Sequence, residues 1–254
     1  MRVKPPAADD RRERDRGVSD VLGFVFVFSL IVLTTGTVVV FGVSGLQDAR
    51  SVEQVSNAER AFDVLAENLD DIAVGDAPGR ATEIRLADAR LGFDEGTMIT
   101  VKADGKVVGR GTGQVSTTAL TYTTDDAQLV YEGGAVFRTE RGGSATVRAP
   151  PVVATRERTV VPLVEVTGTG PQRGGSGVVL VRADRVSRDA AVNRSLSTVT
   201  IEVETDPRRV GAWKRTLDDL TPTTCSVANA TVRCSYQTEV VVVTETRVTV
   251  AYEE

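Results

Sequence analysis

Histidine is absent from the chain. That removes the commonest general base, the commonest transition-metal ligand and every triad built on an imidazole. A phosphate loop, calcium-loop spacing and a dinucleotide fingerprint are missing as well. Gly174-Gly175-Ser176-Gly177 lacks the last glycine of G-x-S-x-G, and no histidine exists to activate its serine. The acidic pairs Asp70-Asp71, Asp125-Asp126 and Asp218-Asp219 read as solvated surface, because sequence neighbours rarely face one another across a cleft. The sequence therefore predicts no catalytic residue, no metal ligand and no cofactor, and an anchored extracellular enzyme is the weakest of the readings below. Lysine is scarce, four of the 30 basic residues. With abundant Asp, Glu, Thr and Val, that bias fits a salt-loving organism, and a GC-rich genome explains the lysine scarcity equally well.

What is present begins with a charge division. The formal net charge is -5, yet the first 17 residues hold six basic side chains (Arg2, Lys4, Arg11, Arg12, Arg14, Arg16) against four acidic ones. The remainder is thus more acidic than the whole, which repels phosphate and argues against nucleic-acid binding. From Val21 to Val43 no residue is charged. Roughly 23 helical residues at about 1.5 Å each cross a hydrocarbon core of about 30 Å. The segment is longer than a secretory signal's apolar core, and no A-x-A-type site follows it. By the positive-inside rule, the N-terminus stays in the cytoplasm and everything after Val43 goes out, a single-pass topology in the cell membrane. Ser29, Thr34, Thr35, Gly36, Thr37 and Gly42 offer close approach and hydrogen bonds to other helices.

Beyond the apolar run, Val55, Ala58, Phe62, Leu65, Leu69 and Ile72 recur at alternating spacings of three and four, one apolar stripe on a helix. Gly75 and Pro78 supply its stop. Joined to the apolar segment, Ser19 to Ala73 would make a helix of roughly 80 Å; a hinge at Gly42 or Gly45 is the alternative. From about Ala81 the period changes to two. Strands are expected at 83–86, 98–101, 107–110, 119–123, 128–131, 135–139, 160–166, 177–181, 199–204, 232–243 and 247–252. Asp104-Gly105 and Gly133-Gly134 read as turns, and Pro150-Pro151 as a crossing between sheets and the best subdomain boundary. One helix interrupts the strands, with Asp206 as cap, Pro207 as start and Val210, Trp213, Leu217 and Leu220 as its buried face. Trp213 reads as a packing anchor. At 254 residues with 41% hydrophobic content, the chain can bury one sizeable core or two small ones. The expected fold is α+β: residues 1–17 a cytoplasmic leader, 18–74 a long helix spanning the membrane at 21–43, and 75–254 a sandwich-like β-rich head outside the cytoplasm.

The two cysteines, Cys225 and Cys234, flank Asn229-Ala230. A two-residue hairpin turn there pairs 228 with 231, 227 with 232 and 226 with 233. It leaves Cys225 opposite Cys234 at a non-hydrogen-bonded site, where side chains come close enough for a disulfide. An exterior location favours oxidation. Asn193-Arg194-Ser195 and Asn229-Ala230-Thr231 both fit the N-glycosylation pattern, at Asn193 and Asn229.

The junction Arg16-Gly17-Val18-Ser19-Asp20-Val21-Leu22-Gly23, a charged tail ending at glycine directly before the apolar run, resembles the archaeal type IV pilins and their pilin-like relatives. Tyr131-Glu132-Gly133-Gly134-Ala135-Val136-Phe137-Arg138 is similar to a segment of pilin-like proteins of halophilic archaea. The resemblance implies a prepilin peptidase that cuts between Gly17 and Val18 on the cytoplasmic side, and an apolar helix retained for packing against other pilin-like subunits. The family usually has proline where this chain has Asp20, and bacterial pilins carry a glutamate at the place of Leu22. Asp20 is therefore the available partner in assembly for the new α-amine on Val18. The expected function is a pilin-like surface protein, a minor or specialised filament or envelope subunit. The alternatives are a plain signal anchor with a glycine in its flank and an anchored surface domain that never polymerises.

Overall fold

The computed structural model describes residues 10–109, 114–168 and 170–253, with side chains from residue 21 onward except at 43, 44 and 46–48. It begins with the helix α1 (Asp10–Ala73) and divides into two compact units, Met1–Glu53 and Gln54–Glu254. In the first unit, the described side chains from Val21 to Gly42 are all exposed. In the second, the expected stripe is buried throughout: Val55, Ala58, Phe62, Leu65, Leu69 and Ile72 are each at most 5% exposed. The head therefore takes in the C-terminal part of α1, residues 54–73, since that stripe is part of its core. The helix stops where the sequence placed the stop. A Cβ on Gly75 would lie 2.6 Å from the Asp71 carbonyl oxygen, and Arg188 donates to the exposed end carbonyls of Gly75 (2.8 Å) and Val74 (3.1 Å).

In chain order the strands are β1 (Gly79–Arg85), β2 (Arg90–Asp94), β3 (Met98–Ala103), β4 (Lys106–Val107), β5 (Gln114–Ser116), β6 (Ala119–Thr123), β7 (Gln128–Glu132), β8 (Ala135–Glu140) and β9 (Gly143–Arg148). They continue with β10 (Val153–Ala154), β11 (Arg158–Gly168), β12 (Arg173–Gly174), β13 (Val178–Asn193), β14 (Ser197–Glu204), β15 (Ser226–Ala228), β16 (Thr231–Thr238) and β17 (Val240–Glu253). The helix α2 (Val210–Leu220) lies between β14 and β15. One sheet runs β1-β13-β17-β11-β10, with β11 and β17 parallel. A second runs β12-β2-β6-β7-β8-β9, and a third β15-β16-β14-β3-β4 with β5 also on β3. The second unit is thus a β-rich domain with one short helix of its own.

Two apolar cores separate these layers. The first gathers the α1 stripe from Ala58 to Ile72 with Ile84, Leu120, Tyr122, Leu129, Tyr131 and Val181. The second gathers Ile99, Val101, Val199, Ile201, Val232 and Phe137 with Trp213 and Leu217 of α2. Several strands serve both. Val161 and Leu163 enter the second core and Val164 and Val166 the first, because adjacent residues of a strand face opposite ways. Likewise Ala135 and Phe137 face the second core and Val136 the first, so β8 is buried on both sides.

The three turns Asp104-Gly105, Gly133-Gly134 and Asn229-Ala230 each hold two residues of positive φ (49° and 75°, 57° and 87°, 46° and 62°). That is the type I′ signature, whose twist matches the flanking strands. Pro150-Pro151 carries the chain from β9 in the second sheet to β10 in the first, and so marks a crossing within one compact unit rather than a subdomain boundary. The expected strand 232–243 breaks at Glu239, where the chain leaves the third sheet for the first, and β17 then runs without interruption to Glu253. The expectation of 177–181 falls short of β13, which continues to Asn193. Its residues beyond Ala183 are not buried, and they are held by pairing with β17. α2 starts at Val210, three residues after Pro207, with Arg209 at the cap position. Leu220 is half-buried, and Ala212 and Thr216 complete the buried face.

Candidate functional site

The feature with the clearest chemistry is the first unit's helix. Val21–Gly42 has a mean hydropathy of 2.5 and none of it is buried. Phe24, Phe26, Leu33 and Phe41 are 69–74% exposed, a surface that water opposes at about 25 cal/mol per Å². Its hydroxyls do not relieve this. Thr34 donates to the Leu30 carbonyl and Thr37 to the Leu33 carbonyl, both at 2.8 Å. At Thr34 and Thr37 the hydroxyl proton is therefore used within the same helix. The segment is long and apolar enough to cross a membrane. Gly17, Val18 and Asp20 fall within the α1 backbone, and their side chains lie outside the described residues.

In the head, Cys225 and Cys234 form a disulfide with Cα atoms 4.4 Å apart, the spacing of a non-hydrogen-bonded pair. The hairpin register is the expected one: 226 pairs with 233, 227 with 232 and 228 with 231. The bridge is tied to α2, because the Cys225 N–H donates to Asp218 (2.7 Å), which also receives Lys214 (2.5 Å). Those bonds, Lys214's first, hold the Asp218 carboxyl below its ordinary value. Replacing both cysteines with serine reopens a loop of about ten residues and is expected to cost roughly 2–3 kcal/mol. Urea unfolding with and without reductant measures it; equal midpoints for the wild type in both conditions would contradict the estimate.

Sequence reasoning missed a buried charge cluster. Glu132, the last residue of β7, is fully buried. Its carboxylate accepts from Arg209 Nε (2.9 Å) and Nη2 (3.0 Å), Trp213 Nε1 (2.8 Å) and Thr205 Oγ1 (2.9 Å). Thr97 donates to Thr205 at 3.1 Å. Its signal in the sequence is a lone acid directly after the apolar run Leu129-Val130-Tyr131. With its charge matched and four donors on it, three at Oε1 and one at Oε2, this carboxylate fastens the second sheet to α2. Asp206 beside it is held at about 2, chiefly by hydrogen bonds from the Arg208 side chain.

Of the acidic pairs, Asp125-Asp126 is exposed as expected, while Asp70-Asp71 is held by ion pairs. Arg148 bridges Asp63 (2.8 Å) and Asp70 (3.1 Å) of α1, and Arg80 reaches Asp71 (3.2 Å). Burial pushes the Asp70 carboxyl up, against the pull of Arg148. A cleft of about 940 Å³ is lined by Thr97 and Thr205 and carries the acids Asp94, Glu95, Glu204 and Asp206. Of the acceptor asparagines, Asn229 is exposed at its turn and Asn193 is half-buried at the end of β13.

No curated protein and no solved structure matches the chain. A protein-family profile does, over residues 16–251, a span that begins at the basic residue before Gly17 and takes in the apolar helix and nearly all of the head. The chain therefore belongs to the family of unknown function DUF7289.

Proposed function

We propose that this is a pilin-like cell-surface protein, anchored through Val21–Gly42 with its N-terminus in the cytoplasm and residues 54–254 outside. The observation that carries the reading is an apolar helix of membrane-crossing length with no side chain buried against the rest of the chain. The disulfide supports an oxidising compartment for the head, and the six basic residues before the helix support the orientation. A prepilin peptidase cuts between Gly17 and Val18. The retained helix packs with those of other pilin-like subunits in a filament or envelope complex, and Asp20 pairs with the freed amine, which lowers the cost of an unpaired charge among apolar helices.

A second reading is a single-pass anchored domain that does not polymerise, in which the Thr34 and Thr37 hydroxyls need no partner beyond the carbonyls of their own helix. Expression in the native host separates the two. Gly17→Leu should leave a slower-migrating, unprocessed species. Asp20→Ala should be processed and inserted yet recovered in fewer detergent-stable assemblies. Unchanged mobility of Gly17→Leu defeats the peptidase reading, and wild-type assembly of Asp20→Ala leaves the simple anchored domain.

A further inference from the structure

The two acceptor triplets are alike in sequence and unlike in the fold. Asn193 ends β13, paired with Val241. Its amide nitrogen donates to Ser197 Oγ (3.3 Å), and its Oδ1 accepts from Ser195 Oγ (2.8 Å). Both the nitrogen that would be modified and the hydroxyl of its own triplet are therefore committed. Asn229 is the first residue of the type I′ turn between β15 and β16, at φ 46°. Its side chain is exposed and makes no hydrogen bond among the described residues. The disulfide closes the hairpin behind it, and all three residues of the adjoining edge strand β15 are exposed, so among the described residues nothing stands over the tip. A bulky polar group at Asn229 meets solvent beside a short open sheet edge, where such cover also hinders edge-to-edge pairing.

We propose that Asn229, and not Asn193, is the N-glycosylation site of the head. The donor is a sugar esterified to a lipid-linked phosphate. The Asn229 amide nitrogen attacks the sugar's C1, the C1–O bond breaks, and the phosphate leaves with the bonding pair. The nitrogen gives up one proton as the C1–N bond forms, and nothing is oxidised or reduced. The proposal rests on the surface reading, because the acceptor pattern marks exposed loops of exported chains.

Protein purified from native membranes, reduced and digested with trypsin, supplies both sites on separate peptides, 216–233 and 189–194. Peptide 216–233 should carry an added glycan mass in most copies and lose it in Asn229→Gln and in Thr231→Ala, while 189–194 keeps its bare mass. Intact cells are treated in parallel with a membrane-impermeant amine reagent, read at the exposed Lys106. A bare 216–233 overturns the proposal in every case. Labelled Lys106 then shows that the surface reading survives, and unlabelled Lys106 that it falls too. A glycan on 189–194 overturns the selection of Asn229.

Discussion

Glu132→Ala is expected to cost about 3–5 kcal/mol, because it removes the bidentate partner of the buried Arg209 guanidinium and leaves it only the more distant Asp206 carboxylate at 3.8 Å. The Arg209 side chain is 3% exposed and that of Glu132 is 0% exposed, so water cannot replace the lost partner without opening the domain. The same change strands the Trp213 and Thr205 donors, each deprived of its acceptor. Removing both charges together, Glu132→Met with Arg209→Met, should cost much less than the sum of the single changes, since the desolvation of both ions disappears with them. Trp213 is the only tryptophan. Its fluorescence reports urea unfolding of the detergent-solubilised full chain directly from the cluster. A loss below about 1 kcal/mol for Glu132→Ala, or a double variant as unstable as the sum, would show that the cluster does not act as a buried unit.

Phe62→Ala is expected to cost a similar amount, about 3–5 kcal/mol. Phe62 is fully buried and meets the Tyr122 ring edge-on at 6.3 Å, a geometry that adds to the area term. Tyr122 is fixed in turn by its hydroxyl, which donates to the Leu86 carbonyl at 2.6 Å. The ring therefore has little room to collapse into the cavity. Val64 on the same helix is 48% exposed, and Val64→Ala should change stability by less than about 0.5 kcal/mol. Similar losses for the two would mean that α1 does not present the 55–72 stripe to the sheets.

That stripe was fully legible because its spacing admits only one face, and the hairpins were legible where turn chemistry is decisive: Asp-Gly, Gly-Gly and the disulfide-flanked Asn-Ala. The elements that went unread lack a one-sided pattern. The polar half of β13 is held by its neighbour β17 and has no fully buried residue. β9, Gly-Ser-Ala-Thr-Val-Arg, has no fully buried residue either. The valine-rich run around Glu239 looks like one strand and is two, because the crossing between sheets costs one bend and no change in composition. The buried cluster joins Glu132 to Arg209 across 77 positions, a separation that no local periodicity encodes. The processing site and Asp20 were read by resemblance alone, and their side chains lie outside the described residues.

The most direct test of the account is the mass of the N-terminal peptide of the protein taken from native membranes. The expected chain begins at Val18, its apolar helix intact and still membrane-bound. A mature chain that begins at Met1 or Arg2, or one cut beyond Val43 and released from the membrane, would contradict it.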